Sequence, residues 1–197
     1  NTLQDLTFDN IYHEHYNYWS LTSLINFFKQ FRVKIFKAEA INTHGGSIRV
    51  YIKKDKNIKI EKSIKELIKV EEKFGIKKFK TYQDFGNKVY RIKKNVIKNL
   101  KDLKKNGGTI VGYGAPAKST TALNFFNISK EIDYIIEDNL LKVGKFVPGV
   151  NIEIKDKKKQ KKKPNCIIVL AWNFFDEIKN NNKSLSNNFI NIKDLEK

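Results

Sequence analysis

The sequence predicts an α/β fold: a Rossmann-like, mostly parallel sheet flanked by helices, with an N-terminal helix and β-hairpin lobe that carries the candidate active-site residues. Three observations lead there. Residues 109–138 read as a short apolar strand, a glycine turn, a helix and a second strand, IDYII, the order of a parallel βαβ unit. The run CIIVLAW from Cys166 is apolar without alternation, as a strand buried on both faces should be. Upstream, Val33–Ala40 and Ser47–Lys53 flank the turn INTHGG, the pattern of a hairpin.

The opening stretch, FDNIYHEHYNYWSL from Phe8 to Leu21, crowds two of the three histidines, Glu14 and three tyrosines ahead of an amphipathic helix. As a helix it would put Tyr12, His15, Tyr16 and Trp19 on one face; as an extended strand it would put Tyr12 and Glu14 on one side and His13 and His15 on the other. Imidazole titrates near neutrality and a neighbouring phenol or carboxylate can hold its tautomer, so Tyr12, His13, Glu14 and His15 suit general acid–base chemistry. The same residues also suit an aromatic loop packed on the core.

Ser20 is placed to cap a helix running to about Phe31, with Leu21, Leu24, Ile25, Phe28 and Phe31 as its apolar stripe and Trp19 stapled onto Leu24. In the hairpin, Ile48, Val50 and Ile52 share one face, and Arg49 and Tyr51 the other. His44, Gly45, Gly46 and Ser47 form its turn. Glycine there permits close backbone approach to a ligand and Arg49 can reach a phosphate, although a plain glycine turn accounts for the same residues.

Residues 60–106 alternate charged and apolar residues at helical spacing and break at Gly75, which predicts two helices. Gly112, Gly114 and Ala117 then form G-x-G-x-x-A after a strand, with Pro116 in the first turn of the next helix. Glu137 and Asp138 end the following strand, about 20 residues on, where a dinucleotide unit carries its ribose acid. The helix N-terminus, with Lys118, Ser119 and Thr120, can cradle a phosphate; a tight turn without ligand fits the same spacing. A short strand near Val150–Ile154, a lysine loop at 155–163, the strand Cys166–Ala171, a helix at 174–180 and a last strand at 189–195 complete the expected order. Trp172 and Asn173 follow the buried strand at the edge where open α/β sheets bind ligands.

Bulk properties exclude several classes. No run of about 18 apolar residues is present, so no spanning helix is expected, and the start NTLQDLTF has neither the basic nor the apolar region of a signal peptide. A single cysteine, Cys166, excludes a disulfide framework and a cysteine zinc site within the chain, so no metal site is expected and a reducing, cytoplasmic setting is the default. The chain has no methionine and is expected to be a fragment of something longer. The net charge of +18 invites a nucleic-acid reading, but among 39 basic residues only Arg32, Arg49 and Arg91 are arginine. Base reading leans on arginine forks and RNA modules on interleaved aromatics, so no specific nucleic-acid partner is expected.

Five stretches, FDNIYHEHYNYWSL, INTHGGSIRVYI, VGYGAPAKSTTALNFF, EDNLLKVGKFVPG and VLAWNFFDEI, stand in an order that resembles the C-terminal region of S-adenosylmethionine-dependent sugar C-methyltransferases, enzymes that act on nucleotide-linked 4-keto sugars. The resemblance covers nearly the whole chain. It implies a C-terminal substrate-binding and catalytic domain over 1–197, with the Tyr/His/Glu segment and hairpin at 1–58, helices at 59–106 and a Rossmann-like half at 107–197. It implies an upstream methyltransferase domain of the same chain that holds S-adenosylmethionine, behind a small zinc-binding lobe. This sequence lacks the lobe's cysteine cluster and the cofactor segment, so the isolated fragment is expected to be inactive. By the same resemblance His15 is the base that draws a proton from carbon beside the keto group, Tyr12 is a second base or a donor to the enolate, Glu14 orients them and His13 completes the set. The substrate diphosphate would lie against His44–Arg49 or against Gly112–Thr120, with Asn173 nearby. An NAD-dependent oxidoreductase resting on the glycine motif and Glu137 or Asp138 is the alternative, and a basic binding module a third reading.

Overall fold

The structure, a computed structural model, describes residues 2–43, 46–105, 107–160 and 162–197. The chain divides into two compact units: residues 1–8 with 14–88, and residues 9–13 with 89–197.

Unit 1 is built on a helix pair and a hairpin. Helix α1 (Leu21–Lys29) starts where Ser20 and Ser23 exchange hydrogen bonds with each other's backbone, a capping box. Its first amides are also met from outside: Glu71 accepts from the N–H of Leu21 at 2.5 Å and of Thr22 at 2.9 Å, and from the Thr22 hydroxyl at 2.6 Å. A carboxylate suits the positive end of a helix dipole. Trp19 lies against Phe27, ring centroids 5.1 Å apart. Strand β1 (Lys34–Ile41) pairs antiparallel with β2 (Ser47–Lys53), with an irregularity between Ile35 and Lys37. Helix α2 (Lys62–Phe74) ends as the sequence predicts at Gly75, whose φ of 83° carries the left-handed turn that lets its N–H reach the Glu71 and Glu72 carbonyls. Leu21, Ile35, Ala38 and Ile64 are buried together, with Leu24, Ile25, Phe28, Val50, Leu67 and Ile68 packed on them. Of the three apolar residues expected on one face of β2, Val50 joins this core while Ile48 and Ile52 stay exposed.

Helix α3 (Phe79–Lys105) begins in unit 1 and ends in unit 2, where it buries Val89, Ile92, Val96 and Leu100 at helical spacing. Unit 2 is a five-stranded, all-parallel sheet: β3 (Ile110–Tyr113), β4 (Tyr134–Glu137), β5 (Ile154–Asp156), β6 (Cys166–Val169) and β7 (Phe189–Asn191), in the spatial order β5-β4-β3-β6-β7. The chain builds outward from β3 in one direction, then returns and builds in the other. The direction reverses between β3 and β6, which is the topological switch point. Helix α4 (Ala117–Phe126) crosses from β3 to β4, and α5 (Phe175–Asn181) follows β6. Val111, Tyr113, Ile136, Ile167 and Val169 fill one face of the sheet with Phe175, Ile178 and Leu185; by period two, Ile110, Gly112, Ile135 and Ile168 turn to the other.

Three expectations need correction here. The strand expected near Val150–Ile154 lies at Ile154–Asp156, because Val147 and Ile152 are buried by a tight turn, Val147 N–H to Ile152 C=O at 2.9 Å, and not by sheet pairing. The expected strand at 189–195 stops at Asn191, whose side chain accepts from the Lys193 N–H and starts a 3-10 turn, Ile192–Glu196. The lysine loop is partly structural: Lys155 lies in β5 over the Tyr134 ring, and Lys157 forms an ion pair with Asp138.

Candidate functional site

The stretch from Ile11 to Trp19 is neither of the two regular forms considered for it: a turn covers Tyr12–Glu14 and irregular chain follows to Ser20. Tyr12 is half-buried; His13, Glu14 and His15 are exposed, and Tyr16 is 87% exposed. The rings of Tyr12 and His13 meet edge to face at 6.2 Å, and those of His15 and Tyr18 at 6.4 Å. Tyr12 and His13 belong to unit 2, Glu14 and His15 to unit 1.

Asp9 stands three residues ahead of Tyr12. Its carboxylate is buried, 3% exposed, and its Oδ2 accepts a 2.5 Å hydrogen bond from the indole N–H of Trp172. Trp172 begins the 3-10 turn Trp172–Phe174 directly beyond β6, at the carboxyl edge and beside the switch point. Two ammonium groups stand near its ring, Lys118 Nζ at 5.2 Å and Lys193 Nζ at 5.3 Å from the centroid. Asn191, at the end of β7, donates to the Trp172 carbonyl at 3.4 Å. Glu196 also feels this corner: burial pushes its carboxyl up, the hydrogen bond and charge of Lys193 oppose that, and the charge of Asp9 adds to it.

The glycine motif is equally defined but closed. Gly112 is buried in β3, where a Cβ would come within 2.9 Å of both Ile135 and Leu170; Gly114 has φ 91°, and a Cβ there would stand 3.0 Å from that of Ala171. Both glycines are therefore accounted for by packing. Glu137, at the ribose-acid position, is used by the chain itself: it accepts from the N–H of Ala115 at 2.8 Å, of Asp138 at 2.9 Å and of Asn139 at 3.1 Å, with Lys142 at 3.7 Å. Lys142 in turn donates to the Ala115 carbonyl at 2.9 Å. Asp138 accepts from the Tyr113 phenol at 2.8 Å and pairs with Lys157. Burial, then that hydrogen bond, holds the Tyr113 phenol above its ordinary value. Glu137 is thus committed to the chain itself, whereas Asp138 stays exposed, with Tyr113 and Lys157 as its partners.

The first turn of α4 is different. Pro116 gives it no side-chain cap, Lys118 forms no ion pair among the described residues, and the Ser119 hydroxyl is buried, 1% exposed, with no hydrogen-bond partner. Thr120 is half-buried and its N–H begins the helical ladder to the Pro116 carbonyl at 3.2 Å; Asn173 is exposed at the end of β6. In the hairpin, His44 and Gly45 lie outside the described residues. Gly46, φ 108°, donates to the Thr43 carbonyl at 2.9 Å, and so does the Ser47 hydroxyl at 3.1 Å; Arg49 is exposed opposite Glu39. Cys166 is buried and its thiol is pushed up to about 11 by desolvation, an inert sulfur. Among the described residues no group of three His, Cys, Asp or Glu is placed to hold a metal, and no helix is long and apolar enough to cross a membrane.

The pattern of the C-methyltransferase C-terminal domain matches residues 42–191. This chain belongs to that family. The domain is also 30% identical over 189 residues to the C-methyltransferase NovU of Streptomyces niveus, a match that covers 94% of this chain and 45% of the relative. The chain thus spans less than half the length of that methyltransferase. The expected fold agrees: a five-stranded parallel sheet flanked by helices, with a small antiparallel hairpin. The resemblance in the sequence pointed to the family; spacing alone offered no sign of Asp9 and Trp172, because they are 163 residues apart. The available signals were an acid just ahead of the Tyr/His cluster and a tryptophan at the edge of a buried strand.

Proposed function

We propose that the domain is the substrate-binding and proton-abstracting part of a C-methyltransferase that acts on a nucleotide-linked 4-keto sugar. The observation that supports this reading is the hydrogen bond from Trp172, just beyond β6, to Asp9, which ties the start of the segment leading to Tyr12 to the edge where parallel sheets take ligands. A C–H beside a ketone is acidic only because the anion can reside on oxygen. Its removal needs a base near neutrality and a donor at that oxygen. His15 takes the proton, Tyr12 donates its phenolic O–H to the enolate oxygen or serves as the second base, and Glu14 and His13 orient the pair. S-adenosylmethionine, held by the upstream domain of the same chain, supplies the methyl group.

Of the two seats for the diphosphate, the first turn of α4 is favoured. Lys118 brings an ammonium without an ion pair among the described residues, and the uncapped amides, Ser119 and Thr120 bring donors. Gly112 and Gly114 shape the turn above it, and Asn173 is an exposed amide on the same edge. Gly46, Ser47 and Arg49, with His44 and Gly45, form the second seat; the Ser47 hydroxyl is already used within its turn. The setting is the reducing cytoplasm, with no membrane and no specific nucleic acid as partner. Family membership, and the backbone bonds that already occupy Glu137, favour this reading over the NAD-dependent alternative.

The test is His15→Asn in the full-length enzyme. Methyl transfer should fall at least a hundredfold while calorimetric affinity for the nucleotide sugar stays within threefold, since general bases contribute roughly 10²–10⁴ in rate. Unchanged turnover would remove His15 from this role.

A further inference from the structure

A carboxylate that is 3% exposed and receives one N–H donor is an expensive structural choice. Desolvating an anion is costly, and an apolar residue of similar shape would fill the space without that cost. The second oxygen of Asp9, Oδ1, is buried with no hydrogen-bond partner. The donor is unusual as well. Trp172 has three further contacts: Asn191 donates to its carbonyl at 3.4 Å, and the ammonium groups of Lys118 and Lys193 stand 5.2 and 5.3 Å from its ring. Both cations lower the electrostatic cost of an anion in that corner. The chain beyond Asp9 is short and tight. It is in a 3-10 turn through Asn10, and the Tyr12 N–H returns to the Asn10 carbonyl at 3.1 Å. Three residues span at most about 10 Å, so wherever Asp9 is pinned, the Tyr12 phenol follows.

We propose that Asp9 and Trp172 are a positioning pair, an acid–indole latch that fixes the segment bearing Tyr12 and His13 to the carboxyl edge of unit 2 in the geometry the proton transfer needs. The inference rests on the function proposed above. Neither residue touches the substrate. Their effect passes through Tyr12 and His13, whose misplacement by about 1 Å is enough to cost on the order of a hundredfold in rate.

The experiment uses the full-length enzyme with Asp9→Leu, Asp9→Asn, Trp172→Phe and the double variant Asp9→Leu/Trp172→Phe. Trp172→Phe keeps an aromatic ring under both lysines and removes only the N–H donor. Asp9→Asn keeps an oxygen that accepts from the indole. Amide hydrogen exchange at residues 11–13 should accelerate at least tenfold in Asp9→Leu and Trp172→Phe. In the same two variants kcat should fall at least tenfold with KM for the nucleotide sugar within threefold. The double variant should be no worse than the poorer single one within threefold, because both remove one contact. Asp9→Asn should recover most of the lost kcat. Circular dichroism and thermal midpoints confirm that each variant folds. Unchanged exchange at 11–13, unchanged kcat, or multiplicative losses in the double variant would each overturn the latch. If the wild-type enzyme transfers no methyl group to any keto sugar, the proposed function fails, and the exchange measurement alone then decides the latch.

Discussion

Two corners of one sheet edge hold a buried or half-buried acid, and they are built oppositely. At the end of β4, Glu137 collects three backbone N–H groups and a lysine, and ties the glycine turn to the segment after β4. At the end of β6, Asp9 has a single indole donor and an oxygen left without a partner. A carboxylate surrounded by short-range backbone donors is part of the scaffold, because each bond it makes fixes chain that is already close. A carboxylate that spends its burial on one long-range bond is holding something in place. The corner with the glycine motif is thus held by short-range backbone bonds, and the corner without a motif by one long-range bond.

The sharpest way to break this contrast is Glu137→Ala. Charged hydrogen bonds contribute about 1.5–3 kcal/mol each; the Ala115 amide is part-buried, while those of Asp138 and Asn139 can turn to water, so the variant should lose about 2–3 kcal/mol in urea unfolding. A loss below about 1 kcal/mol would mean that Glu137 is not the scaffold acid.

A smaller effect sharpens the same point. Gly114→Ala should cost about 1–3 kcal/mol, since φ 91° is strained for any side chain and the new methyl meets Ala171 at 3.0 Å. Gly86→Ala, inside α3 with nothing within 4 Å of its Cβ position, should instead stabilise by about 0.5–1 kcal/mol. Equal signs in the two variants, measured by denaturant midpoint, would show that the glycine turn is not close-packed.

The contrast also explains what was legible in the residues. Strand, turn and helix periods at 109–138 and the Gly75 stop are local, and both came through because local chemistry, a positive φ or a 3.6-residue stripe, fixes them. Val147 and Ile152 misled because burial in a turn and burial in a strand leave the same apolar mark, while the real edge strand, Ile154–Asp156, has one apolar residue. The glycine spacing was readable, but its purpose was not: Gly112 is glycine because of Ile135 and Leu170, which arrive from other elements. Lys157 read as part of a solvated run for the same reason, its partner Asp138 being 19 positions away. In the Tyr12–His15 stretch the residue types were informative and the backbone was not, since a turn held from outside has no period.

The smallest expected effect separates the corners by pH. Burial pushes Asp138 up, but the hydrogen bonds from Lys157 and Tyr113 outweigh it, so its carboxyl lies below the ordinary 3.8. Its contribution is therefore present above that value and is lost as pH falls through the depressed one. Glu196, beside Lys193 at the other corner, has its carboxyl above the ordinary 4.5, so its contribution is present in acid and is lost as pH rises through the elevated value. Asp138→Asn should then lose stability relative to the wild type at neutral pH and converge with it in strong acid. Glu196→Gln should match the wild type in acid and become the more stable of the two above pH 4.5. Urea unfolding from pH 3 to 7 checks both at once. Parallel curves would mean that the two corners carry the same electrostatic balance.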